Sequence, residues 1–204
     1  MRRVSGFTLV EAMIALAVFA LLLALGVPRM VDWVAATKAA AAGQFYAEGL
    51  GLARAKALAH NSASRLVLSA NAASGQYDWQ VDLCFPTPEE PCNDASGDWS
   101  TVDDGVKPAG AAGDGFTSVL RSSASLPPAS RLSVTAGPDG ATAVYFTPLG
   151  WVDTRIDERL MRIDLEAATN AEPFPATSVV LTLAGIATQC RLDAADDDSR
   201  RCPQ

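Results

Sequence analysis

Histidine is almost missing from this 204-residue chain: His60 is the one imidazole. A Ser-His-Asp arrangement would have to recruit that single residue, and no GxSxG elbow, P-loop or dinucleotide glycine fingerprint is present. Cations are also scarce, 16 against 23 acidic residues for a formal net charge of -7. That balance disfavours general nucleic-acid binding, which needs basic surface to neutralise phosphates. Cysteine is limited to Cys84, Cys92, Cys190 and Cys202, with no close CxxC spacing and no second histidine to complete a zinc site. The sequence therefore assigns no catalytic residue, no cofactor and no metal ligand. Charge is missing as well from Ala12 to Val27, and that absence points towards a function.

The apolar run from Phe7 to Val27 spans about 20 residues, enough to cross a hydrocarbon core of roughly 30 Å as a helix. One carboxylate, Glu11, stands near its start. An acidic side chain inside a bilayer helix costs roughly 2.5 to 3.5 kcal/mol on insertion scales, so it marks a functional residue in need of a partner. Arg2 and Arg3 hold the short N-terminus cytoplasmic, which exports everything after Pro28. An ordinary signal peptide shares the basic start and apolar core. However, Leu25-Gly26-Val27-Pro28-Arg29-Met30 offers a poor small-residue cleavage site, and such a segment has no use for Glu11. Pro28 predicts a kink or local melting, because it removes a backbone donor and clashes with the preceding turn.

Arg2-Arg3, then Gly6-Phe7-Thr8-Leu9-Val10-Glu11, then the uncharged run, resembles the class III leader of type IV pilins and type II secretion pseudopilins. The resemblance implies a prepilin peptidase cut between Gly6 and Phe7 and methylation of the new N-terminal Phe7. It also implies that Glu11 pairs with the N-terminal amine of a neighbouring subunit during filament assembly. The expected organisation is a leader over 1–6, a membrane or filament-core helix over 7–27, the exported half of the stalk over 28–62 and a head over 63–204. Without the leader, 14 basic and 23 acidic residues remain, a net charge of -9.

Beyond Pro28, Val31, Val34, Ala41, Phe45, Leu52 and Ala59 recur at helical spacing, and from about Gln44 this stripe is expected to pack on the head. Gly43, Gly49 and Gly51 each weaken an isolated helix by roughly 1 kcal/mol, so packing must hold it. His60-Asn61-Ser62 is the expected stop, with His60 a helix-end or surface residue. Arg65–Ala70 and the alternating Tyr77–Leu83 form a hairpin around the turn Asn71–Gln76. Further strands are expected over 116–120, 131–135, 143–146, 160–165, 178–183 and 186–192, the last two joined through Ala184-Gly185. Trp33 is placed like an interfacial anchor, and Trp79 like core or sheet surface. The Gly/Pro/Asp-rich stretch 86–115 reads as a loop. Calcium could use its carboxylates, but the spacing is not that of an EF-hand, and a solvated acidic loop is the reading taken. Four exported cysteines permit three connectivities; short separations favour Cys84 with Cys92 and Cys190 with Cys202, at about 2 to 3 kcal/mol per loop.

The stretch Gln44–Leu68, with Arg54 and Asn61 inside it, resembles the "AR…A…N…V" segment of the GspH/FimT family of minor pilins and pseudopilins. Val144-Tyr145-Phe146-Thr147-Pro148-Leu149-Gly150 and Val179-Val180-Leu181-Thr182-Leu183-Ala184-Gly185 resemble its later strand-plus-glycine motifs. The implied fold is α+β, a helical stalk packed on a β-rich head with two antiparallel sheets. The implied partners are other minor and major pilins or pseudopilins, prepilin peptidase and inner-membrane lipid. The implied location is the inner membrane, with a periplasmic head and a place at a filament's tip or base. A minor pilin and the H-type minor pseudopilin of a type II secretion system both fit. Some members that bind DNA in natural transformation carry Gly-Arg-x-Arg on the C-terminal hairpin, whereas this chain reads Gly185-Ile186-Ala187-Thr188, which argues against DNA as a partner.

Overall fold

A computed structural model describes residues 8–169, 171 and 173–203, and the side chains of all of these except 25–29, 31, 32 and 35. Helix α1 runs from Leu9 to His60, 52 residues, and continues through position 28. Thr8 caps its start, its hydroxyl accepting from the Glu11 amide at 3.2 Å. Asn61 ends it in the left-handed region at φ 46°, with the Ser62 amide donating back to the Ala57 carbonyl, a Schellman-type stop that asparagine tolerates. The stop therefore falls where His60-Asn61-Ser62 placed it. Among the described residues no helix is long and apolar enough to cross a membrane. The expected span over 7–27 reaches outside them at Phe7 and, for side chains, at 25–27.

Two four-stranded antiparallel sheets form the head. The first has order β3-β2-β1-β5, from β1 (Ala63–Ala70), β2 (Tyr77–Cys84), β3 (Val119–Arg121) and β5 (Ala143–Phe146). The second has order β4-β6-β7-β8, from β4 (Leu132–Gly137), β6 (Arg162–Ala167), β7 (Thr177–Leu181) and β8 (Ala187–Arg191). The β1–β2 hairpin sets Leu66 opposite Val81 and Leu68 opposite Trp79, so alternate positions face the helix. From the second sheet Leu132, Ile163, Leu165, Val179 and Leu181 complete the core. The expectation over 116–120 is shifted: Phe116 makes an isolated bridge to Val106, and β3 begins at Val119. Gly105 and Gly115 touch backbone to backbone at that bridge, a contact that any side chain would block.

The packed face of α1 differs from the expected stripe. It consists of Ala39, Ala42, Gly43, Phe45, Tyr46, Gly49, Leu50, Ala53 and Ala57, and it starts before Gln44, whereas Ala41 and Ala59 are exposed and Leu52 is half-buried. Close approach selects small residues here: a Cβ on Gly49 would stand 2.8 Å from both Leu66 Cδ1 and Trp79 Cδ2. Trp79 is core, and its indole N–H donates to the Phe45 carbonyl at 2.9 Å, tying sheet to helix through the helix's own backbone. The cystines join Cys84 to Cys92 and Cys190 to Cys202, the pairing that the short separations favour.

Candidate functional site

From Leu9 to Leu23 the helix presents apolar side chains to the outside, among them Leu9, Ile14, Leu16, Phe19 and Leu22, each about three-fifths exposed or more. Glu11 sits in the first turn of this surface, where the N-terminal end of the helix dipole favours a carboxylate. None of the chain's ion pairs among the described residues includes it. The expected cleavage and methylation positions, Gly6 and Phe7, lie outside the described residues. Pro28 falls inside α1. Trp33, expected as an interfacial anchor, is 67% exposed on the same helix.

At the opposite end of α1, three separate sequence motifs meet. Arg54 Nε donates to the Gly150 carbonyl and the Ala184 carbonyl, both at 3.2 Å. Gly150 (φ 72°) and Gly185 (φ 75°) turn in the left-handed region, and a Cβ on Gly185 would stand 2.3 Å from the Gly150 oxygen. The Arg54 helix segment, the turn after β5 and the β7–β8 turn are thus locked by one guanidinium. Around this lock Leu149, Trp151, Leu183 and Ile186 are exposed. Spacing alone gave no reason to bring these positions together; only the order of the motifs hinted at it.

The long loop 86–115 hangs from a polar cluster that composition did not reveal. Asp82, 1% exposed, accepts from Arg65 Nε at 2.8 Å, Gln80 Nε2 at 2.7 Å and Ser118 Oγ at 2.7 Å. Ser100 Oγ bonds Ser118 Oγ and receives the Leu83 amide, and Arg65 stacks on Trp99 at 4.4 Å. On β2, burial opposes ionisation of Asp78, yet the Ser123 amide, Asn71 and the Ser123 hydroxyl hold its carboxyl below the usual range. His60 stacks on Phe116 at 4.2 Å; burial, aided by Lys56, holds its imidazole below the ordinary value. Among the described residues no group of three or more His, Cys, Asp or Glu side chains could hold a metal ion.

Residues 1–27 match the family model for the prokaryotic N-terminal methylation motif. Neither the curated proteins nor the solved structures yield a match to the chain. The motif supports a type IV pilin-like protein anchored in a membrane, and it implies processing by prepilin peptidase and assembly with other pilins.

Proposed function

We propose that this chain is a minor, initiating or tip subunit of a type IV pilus or pseudopilus, of GspH/FimT type, and that it works by assembly rather than by catalysis. The observation that carries the reading is Glu11, a carboxylate with no ion-pair partner among the described residues, on an exposed apolar helix that continues into a packed head. A carboxylate in that setting gains from an opposite charge, and the mature N-terminal amine of a neighbouring subunit is such a charge. In this reading the head is periplasmic and the stalk lies in the inner membrane until the subunit is drawn into a filament.

N-terminal sequencing of chain purified from cells with and without prepilin peptidase tests the proposal. The mature chain is expected to begin at Phe7, and Gly6→Leu should leave the leader attached. A mature chain beginning after Pro28 would overturn the reading in favour of a secretory signal. Within the reading, DNA capture is not assigned. A gel shift across a salt series checks this, since phosphate contacts weaken steeply as salt rises.

A further inference from the structure

The second sheet ends at β8, and hydrogen-bond parity along that strand separates its two sides. The Thr182 amide donates to the Ile186 carbonyl, so Thr188 and Cys190 turn their backbone groups towards β7 while Ala187, Gln189 and Arg191 turn theirs outward. At Arg191 the outward groups are taken by the chain's own C-terminal tail. The Arg191 amide donates to the Arg200 carbonyl at 2.7 Å and the Cys202 amide donates to the Arg191 carbonyl at 3.1 Å, a short parallel pairing. The Cys190–Cys202 cystine clamps it, and the Arg191–Asp193, Arg200–Asp198 and Arg201–Asp196 pairs stiffen the intervening loop. At Ala187 and Gln189 the outward groups have no backbone partner among the described residues. Exposed Ile186 and Leu183 stand at that open end.

We propose that the tail is a cystine-latched cap on the β8 edge, and that this edge is a docking site for an extended segment of a partner protein chain. An unpaired edge is a template for strand addition, in which main-chain bonds give affinity and flanking side chains give selectivity. The occupant is a single strand rather than the β8 edge of a second copy because α1 packs on one face of β8, beside the edge. A Cβ on Gly43 would stand 3.3 Å from Gln189 Cδ, and Gln189 Nε2 reaches Gln44 Oε1 at 3.4 Å, so a copy carrying its own α1 would bring two helices to one place. The tail itself is such a strand, already seated at Arg191. Exposed Ile186 and Leu183 flank the open end, so the partner segment is extended and carries an apolar side chain there.

Two measurements on the full chain in detergent test this. In amide hydrogen exchange of the unaltered chain, Ala187 and Gln189 should exchange at least tenfold faster than Arg191 and Cys202; equal protection would overturn the open edge. The second probe is a fluorescent peptide copying residues 196–203 with serine in place of Cys202. It should bind the Cys190→Ser/Cys202→Ser double variant at least tenfold more tightly than the unaltered chain, and adding Gln189→Pro should abolish the gain, since proline removes the outward amide. Equal binding to latched and unlatched chains, or a gain that survives Gln189→Pro, sinks the proposal. A dimer of the double variant that depends on Gln189 would replace the partner segment by a second copy and also overturn it.

Discussion

The two ends of α1 share a backbone and little else. Towards the N-terminus large apolar side chains face outward and the lone carboxylate has no cation beside it among the described residues; from Ala39 to Ala57 the inward face is mostly alanine and glycine, pressed so closely on two sheets that a carbon added at Gly49 would collide. The first half is built for surroundings that other molecules supply, lipid or neighbouring stalks, and its side chains need only be apolar. The second half is built for surroundings that the chain itself supplies, and there size matters more than hydrophobicity.

The largest test of this contrast is Glu11→Leu. Membrane level should stay the same or rise, since a costly group leaves hydrocarbon, while crosslinking to other pilins should be lost. A buried amine left without its partner is penalised by about 3 to 5 kcal/mol, ample to exclude a subunit. Co-assembly equal to the parent chain would remove the role assigned to Glu11. Gly49→Val reverses the pattern: insertion and processing should be untouched, while the head loses about 3 kcal/mol in thermal unfolding because the new methyls meet Leu66 and Trp79. Arg54→Met should destabilise the head by about 1 to 2 kcal/mol by removing the donor shared by the Gly150 and Ala184 carbonyls. Two positions along from Gly49, Gly51 has nothing within 4 Å of an added Cβ, so Gly51→Ala should stabilise by about 0.5 to 1 kcal/mol.

The smallest effect concerns acid. The Arg155 hydrogen bond, working against burial, holds the Asp153 carboxyl below its usual range. A carboxyl lowered in the folded state contributes stability that is complete above the unfolded value, about pH 4, and that is lost as pH falls through the lower folded value. Asp153→Asn should flatten that acid limb in a pH series of melting temperatures and leave membrane association unchanged.

Much of the scaffold was legible because it follows local rules. Tyr77–Leu83 alternates with period two and became β2, Asn61 supplied the left-handed stop, and the two short cysteine separations closed as cystines. What stayed hidden depends on distance. A stripe drawn by hydrophobicity favours Val31, Val34 and Leu52, whereas the packed face was chosen by how near Trp79 and Leu66 come, and that lies in another strand. Asp82 reads as an ordinary exposed acid in an alternating strand; its burial is set by Arg65, Gln80 and Ser118, of which Ser118 lies across the long loop. Glu11 was legible for the opposite reason, since its oddity is local.

The Arg54 lock has a mechanical consequence. One guanidinium on the stalk grips a turn that follows β5 of the first sheet and a turn that joins β7 to β8 of the second, and Trp79 ties the first sheet to the same helix at Phe45, nine residues earlier. A pull along α1 is therefore shared between the two sheets side by side instead of passing through one to reach the other. Separating the head from its stalk must break both grips as well as the core packing of α1, so load on the helix is borne by the whole head.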